Sequence, residues 1–230
     1  MATASASEAR RERMVKVQLS RLGVDDDRVI AAFRSVPREA FLPRFKRPLA
    51  YLPIPLDIGY GQTISQPLAV ARMLQLARIG PEDRVLDVGA GSGYQTALLA
   101  RVCSYVYGLE IIPALAERAN KALRDVGIQN AMIHVANGHD GLPAHAPYDA
   151  ILVAAVAPEV PAALLGQLKD GGRLIMPVGP HLSRREMTWS VLLKRPSPQR
   201  LVRITRRGES FDREELGQVY FVPFVQNYRA

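Results

Sequence analysis

Residues Val85 to Tyr94 read VLDVGAGSGY. Val85, Leu86, Asp87 and Val88 form a short, mostly apolar run of the kind that makes a buried strand. Gly89, Gly91 and Gly93 then permit a tight turn into a helix. The next apolar run, SYVYGLE, ends on Glu110. A strand, a glycine turn, a helix and an acid about 20 residues on form the nucleotide-site layout of doubly wound α/β folds. Glycine suits such a turn because a Cβ would hold a ligand away from the backbone. The acid suits it because a carboxylate accepts hydrogen bonds from ribose hydroxyls. On the glycines alone, a tight turn without a ligand stays open.

The spacing is G-x-G-x-G, not the G-x-G-x-x-G of dinucleotide sites. By itself it says only that the cofactor is nucleoside-like. Around the turn, strands and helices alternate. Strands are predicted at Arg84–Val88, Tyr105–Leu109, Ala131–Val135, Ala150–Val153 and Arg173–Val178, with helices near Tyr94–Arg101, Pro113–Val126 and Val160–Leu168. This alternation predicts a mostly parallel sheet covered on both faces. Two helices, Ser7–Leu22 and Asp25–Ser35, are predicted before it, then an irregular, proline-rich stretch from Pro37 to Gly59. Two late strands, possible antiparallel partners, are predicted at Thr188–Lys194 and Gln218–Phe224. One domain is expected over 1–230: an N-terminal extension (1–60), a cofactor-binding core (61–180) and C-terminal strands (181–230).

Upstream lies GQTISQP, Gly61 to Pro67, followed by LAVARMLQLARI with apolar residues at helical spacing. Ser65 reads two ways. It can cap this helix, with Pro67 in the first turn. Alternatively its hydroxyl points into a cleft that accepts a carboxylate.

Taken together, these segments resemble the protein-L-isoaspartate O-methyltransferase family. The matching stretches are Met14–Pro43, GQTISQP, VLDVGAGSGYQTALLA (Val85–Ala100), APYDAILVAA (Ala146–Ala155), LKDGGRLIMPVG (Leu168–Gly179) and VYFVPF (Val219–Phe224). The resemblance implies a Rossmann-like fold and S-adenosyl-L-methionine as methyl donor. It implies that the acceptor is the α-carboxylate of L-isoaspartyl residues in damaged proteins and peptides. The methyl ester then closes to a succinimide, which makes such an enzyme a repair protein. Site roles carried over by resemblance start with Ser65, which would orient the acceptor carboxylate beside Gln66. Gln62, Thr63 and Ile64 would line the cleft. Gly89, Gly91 and Gly93 would let the backbone approach the methionine part, with Asp87 also in the cofactor site, Glu110 would hold the ribose, and Asn137 and Gly138 would stand at the adenine. Val222 and Pro223 would enclose the site, although plain sheet packing explains them equally well.

Three positions depart from the family pattern. Asn137 stands where an acid is usual, Pro53 replaces another acid, and Asp57 replaces a proline. Two other function classes stay open beside the resemblance: a methyltransferase with a different acceptor, and a non-catalytic protein that keeps the cofactor site.

Composition sets further bounds. The net charge is +8, but aromatics are only 7% of the chain, and of the arginine-rich runs 10–13, 43–48, 183–186 and 204–207 only the second holds one, Phe45. They read as a solvated basic surface able to steer acidic peptides, not as a nucleic-acid site. The single cysteine, Cys103, excludes an internal disulfide and sits in an apolar stretch, so it reads as core. Trp189 reads as core or sheet edge. The four histidines form no metal or triad motif. No membrane span or targeting segment is evident, so a cytoplasmic protein is expected, with a monomer as the default.

Overall fold

The computed structural model describes residues 5–183, 186 and 197–225. Its centre is a seven-stranded sheet in the order β5-β4-β3-β6-β7-β8-β9. The strands are β3 (Arg84–Val88), β4 (Tyr105–Glu110), β5 (Ala131–Val135), β6 (Tyr148–Val153), β7 (Leu168–Val178), β8 (Arg200–Arg207) and β9 (Ser210–Gln218). The first five are parallel, and β8 and β9 add antiparallel. The order reverses between β3 and β6, where doubly wound sheets open a crevice at the carboxyl ends of their strands.

Alternation along the strands builds two apolar layers. Val85, Leu152 and Ile175 face one layer, with Met73 and Leu74 of α3 (Pro67–Ala77), Leu98 of α4 (Tyr94–Ala100) and Leu115 of α5 (Pro113–Asp125). Leu86, Ile151 and Leu174 face the other, with Leu164 of α6 (Ala162–Gly166) and Phe224. The N-terminal helices α1 (Ala6–Met14) and α2 (Asp27–Ser35) join the first layer through Met14, Ile30 and Phe33. Asp26 caps α2 by accepting the backbone N–H groups of Arg28 and Val29.

The five predicted core strands are present, with β6 and β7 starting earlier than expected. The first predicted helix is shorter: α1 ends at Met14, and a π turn (Val15–Leu19) and a 3-10 turn (Ser20–Leu22) finish the segment. The irregular Pro37–Gly59 stretch holds two 3-10 turns and then β1 (Leu56–Gly59), which pairs with β2 (Gln62–Ile64) as a separate antiparallel hairpin.

The predicted strand Gln218–Phe224 is corrected. Only its first residue, Gln218, is strand, as the end of β9; Val219–Phe224 is a strap making a single bridge, Pro223 to Val156. The late strands are β8 and β9 instead. β9 is exposed on both faces, so it carries no hydrophobic alternation to read. Its charges pair across the ribbon, Arg203 to Glu214 at 2.7 Å and Arg207 to Asp212 at 3.1 Å. The predicted strand Thr188–Lys194 and Trp189 lie outside the described residues.

Candidate active site

One cavity at the carboxyl ends of β3 and β6 gathers most of the sequence-predicted residues. Gln62, Thr63, Ile64, Ser65, Gly89, Gly91, Glu110, Gly138, Val222 and Pro223 line it. Asp87, Gly93, Gln66 and Asn137 do not.

The glycine loop forms as its spacing requires. Gly89, Gly91 and Gly93 all have positive φ, at 79°, 54° and 85°, a region closed to most side chains. Gly93 also serves packing: a Cβ there would lie 3.1 Å from the Ala119 Cβ of α5. The loop is held by its own backbone. Gly89 and Ala90 donate to the Leu109 carbonyl, both at 2.9 Å, and Gly93 donates to Ala90 at 2.8 Å.

Glu110, at the end of β4, completes this wall. Its carboxylate accepts the Gly91 N–H at 2.8 Å and the Ile112 N–H at 2.9 Å. Burial raises its pKa, and those backbone hydrogen bonds oppose the rise. Each oxygen keeps a lone pair for a further donor such as a ribose hydroxyl.

Asp87 is fully buried behind the wall. Gln95 Nε2 donates to it at 2.7 Å and Thr96 Oγ1 at 2.6 Å. Burial pushes its pKa up to about 6, against those two hydrogen bonds, and the charge of Glu110 adds to the rise. Asp87 thus ties α4 to β3 from beneath the loop.

The opposite wall is the β1–β2 hairpin and the start of α3. Here the two readings of Ser65 separate. The N-cap of α3 is Gln66, with no side-chain cap, and Pro67 takes the first helical position. Ser65 is not the cap. Among the described residues its hydroxyl has no hydrogen-bond partner, and it lines the cavity. Asp57, at the position of the usual proline, shapes the hairpin: its Oδ1 accepts the Gly59 N–H at 3.0 Å and Lys46 Nζ at 3.1 Å.

The strap closes the third side. The Val156 N–H donates to the Val222 carbonyl at 2.9 Å, and the Phe224 N–H donates back to Val156 at 2.8 Å. Gln199 Oε1 accepts the Phe221 N–H at 2.7 Å. Phe224 lies so close to Gly138 that a Cβ there would stand 2.8 Å from its ring and 2.5 Å from Val88 Cγ1. Asn137 turns away to cap a short 3-10 turn, its Oδ1 accepting the His139 N–H at 3.1 Å.

Sequence reasoning missed Ala154, Ala155, Ile111, Ile112 and Phe224, which also line the cavity. The first two directly follow β6 at the strand-order reversal, so the carboxyl-end rule would have found them. Among the described residues no His/Cys/Asp/Glu group could hold a metal ion, and no helix is long and apolar enough to cross a membrane.

This architecture matches known proteins over nearly its whole length. The family model for protein-L-isoaspartate(D-aspartate) O-methyltransferase covers residues 9–229. The protein-L-isoaspartate O-methyltransferase 1 of Rhodopseudomonas palustris (strain HaA2) is 48% identical over 96% of this chain and 85% of its own. The Opitutus terrae protein of that name is 44% identical over 94% and 87%. A solved protein-L-isoaspartate O-methyltransferase superposes with TM-score 0.78 at 28% identity, over 93% of this chain and 65% of that one. A Plasmodium falciparum chain assigned to the same enzyme class, in complex with S-adenosyl-L-homocysteine, gives 0.77 at 26% identity, over 97% and 100%. The chain belongs to the protein-L-isoaspartate(D-aspartate) O-methyltransferase family.

Proposed function

We propose that this chain transfers a methyl group from S-adenosyl-L-methionine to the free α-carboxylate of L-isoaspartyl residues in damaged proteins and peptides. The observation that carries this reading is the Ser65 hydroxyl. It is spared from capping and shares one cavity with the glycine loop and Glu110. The cavity fits the cofactor: positive-φ glycines open the loop, and a buried carboxylate with spare lone pairs stands where ribose hydroxyls need an acceptor. When bound, S-adenosyl-L-methionine supplies an electrophilic methyl group on a sulfonium sulfur.

The chain's task is then positioning. An α-carboxylate is already ionised near neutral pH, since its ordinary pKa is about 3.5. No strong general base is required. Ser65 donates its hydroxyl proton in a hydrogen bond to one carboxylate oxygen and aims the other at the methyl group. Gln62, Thr63 and Ile64 shape the passage between the two partners. Val222 and Pro223 exclude water, which strengthens every polar contact inside. Asp87 acts from behind the loop, and Gly93 keeps α4 against α5.

The test is methyl transfer from labelled S-adenosyl-L-methionine to two peptides differing only in L-isoaspartate against L-aspartate at one position. Base-labile label on the isoaspartyl peptide alone is the expected result. No label on either, with cofactor binding intact, overturns the acceptor assignment and directs attention to Pro53 and Asp57.

A further inference from the structure

The cavity has a charge problem. Its described lining contains Glu110 and no lysine or arginine, and buried Asp87 lies behind the same wall. Yet the amino-acid end of the proposed cofactor is a zwitterion. Asp87, behind the glycine loop, complements its ammonium group, while Glu110 is taken by the ribose. No cationic side chain in the described lining complements its carboxylate, and the N–H groups of Gly89, Ala90, Gly91 and Gly93 are already spent inside the chain.

One buried cation lies just outside that lining. Arg38, in the N-terminal extension, is 0% exposed. Its Nε donates to the Ala50 carbonyl at 2.7 Å, while Nη1 and Nη2 have no hydrogen-bond partner. The neighbouring Glu39 is taken by Ser7 and Tyr51. The guanidinium carbon sits 5.0 Å from the ring centroid of Tyr94. Tyr94 directly follows Gly93 and lines the cavity. Phe33 and Phe41 pack on the same ring at 6.0 and 5.6 Å. Burial lowers the Arg38 pKa only to about 10, so the charge persists at neutral pH. A buried, unpaired guanidinium is less favourable for folding than an apolar side chain of similar size. Its place behind the cavity wall gives it a use.

We propose that Arg38 is a positioning residue that, across the Tyr94 ring, supplies the positive potential complementing the carboxylate end of the cofactor. The proposal rests on the cofactor reading above and adds the source of selectivity for the amino-acid end. In an apolar surrounding a charge is screened less than at an exposed site.

The test compares two ligands on the full chain: S-adenosyl-L-homocysteine, which carries the amino-acid end, and 5′-methylthioadenosine, which lacks it. Calorimetric Kd values are measured for wild type, Arg38→Met and Arg38→Lys. Arg38→Met is expected to weaken S-adenosyl-L-homocysteine about tenfold and leave 5′-methylthioadenosine within about twofold. Arg38→Lys is expected to restore most of the loss. Equal weakening of both ligands would mean that Arg38 only packs the wall and would overturn the proposal, as would no change in either. Should Arg38→Met not fold, the same two titrations on Arg38→Gln decide. Wild type that binds neither ligand overturns the cofactor reading itself, and this proposal with it. Wild type that binds both but methylates neither peptide leaves the Arg38 result to stand on the titrations and removes only the acceptor assignment.

Discussion

The two walls of the cavity are built on different principles. The core wall, from β3 through the glycine loop to Glu110, is held by backbone hydrogen bonds and closely packed on both sides. The hairpin wall, β1–β2 with Ser65, is a two-stranded ribbon separate from the main sheet. Side chains reaching in from elsewhere tether it. Lys46 Nζ donates to the Asp57 carbonyl at 2.8 Å, and Arg118 donates to the Ile58 carbonyl at 2.5 Å. On the proposed function, the contrast would give the cofactor to the fold itself and the acceptor to a ribbon that is not part of the main sheet.

The largest test strikes beneath the core wall. The folded-state pKa of Asp87 is about 6, above its ordinary value of 3.8. A carboxyl raised on folding contributes stability below the unfolded pKa and loses it as pH rises through the folded one. Between about pH 3 and pH 7 the chain should therefore lose about 3 kcal/mol through this group. Asp87→Asn cannot ionise, so its melting temperature relative to wild type should climb across that window. A constant difference would show that Asp87 is no more strained folded than unfolded.

Next comes the hairpin wall. Ser65→Ala should lower kcat about 100-fold, with S-adenosyl-L-homocysteine binding unchanged. Equal loss of cofactor affinity would merge the two walls into one functional unit.

Gly138→Ala sharpens the comparison from the strap side. Its Cβ would meet Val88 and Phe224, so destabilisation of about 2 kcal/mol is expected by chemical denaturation. Retained wild-type stability would mean that the strap yields easily and belongs with the hairpin.

The smallest effect is expected at the tether. Lys46 and Asp57 are partly exposed, with side-chain exposures of 20% and 39%. Lys46→Met should cost about 0.5 kcal/mol or less and raise peptide KM about twofold, leaving cofactor Kd alone. A larger change in cofactor Kd than in KM would place the tether on the core wall.

Legibility followed the same division. The core wall could be read because glycine spacing, buried strands and one acid are local signals. Glu110 and the glycine loop stand where the sequence put them. The hairpin was hidden because β1 ends a proline-rich stretch, β2 lies within GQTISQP, and both strands are too short to show a period. β9 was invisible because charges occupy both its faces. Asp87 and Asn137 share a different cause. A polar residue beside a loop can serve the ligand or the loop, and only packing tells which. Asp87 ties down Gln95 and Thr96, and Asn137 caps a turn.

Cys103 carries a consequence of its own. It is the chain's one cysteine, 8% exposed, and burial foremost pushes its thiol up to about 12. The thiolate is the form that oxidants attack, and almost none exists at neutral pH. Met14, Met73 and Met176 are equally shielded, each at 1% exposure or less. Protein damage accumulates with age, and oxidation accompanies it. Among the described residues, a catalyst acting on aged chains keeps Cys103 and three methionines out of reach, and Met132, 51% exposed, is the described position where oxidation should register first.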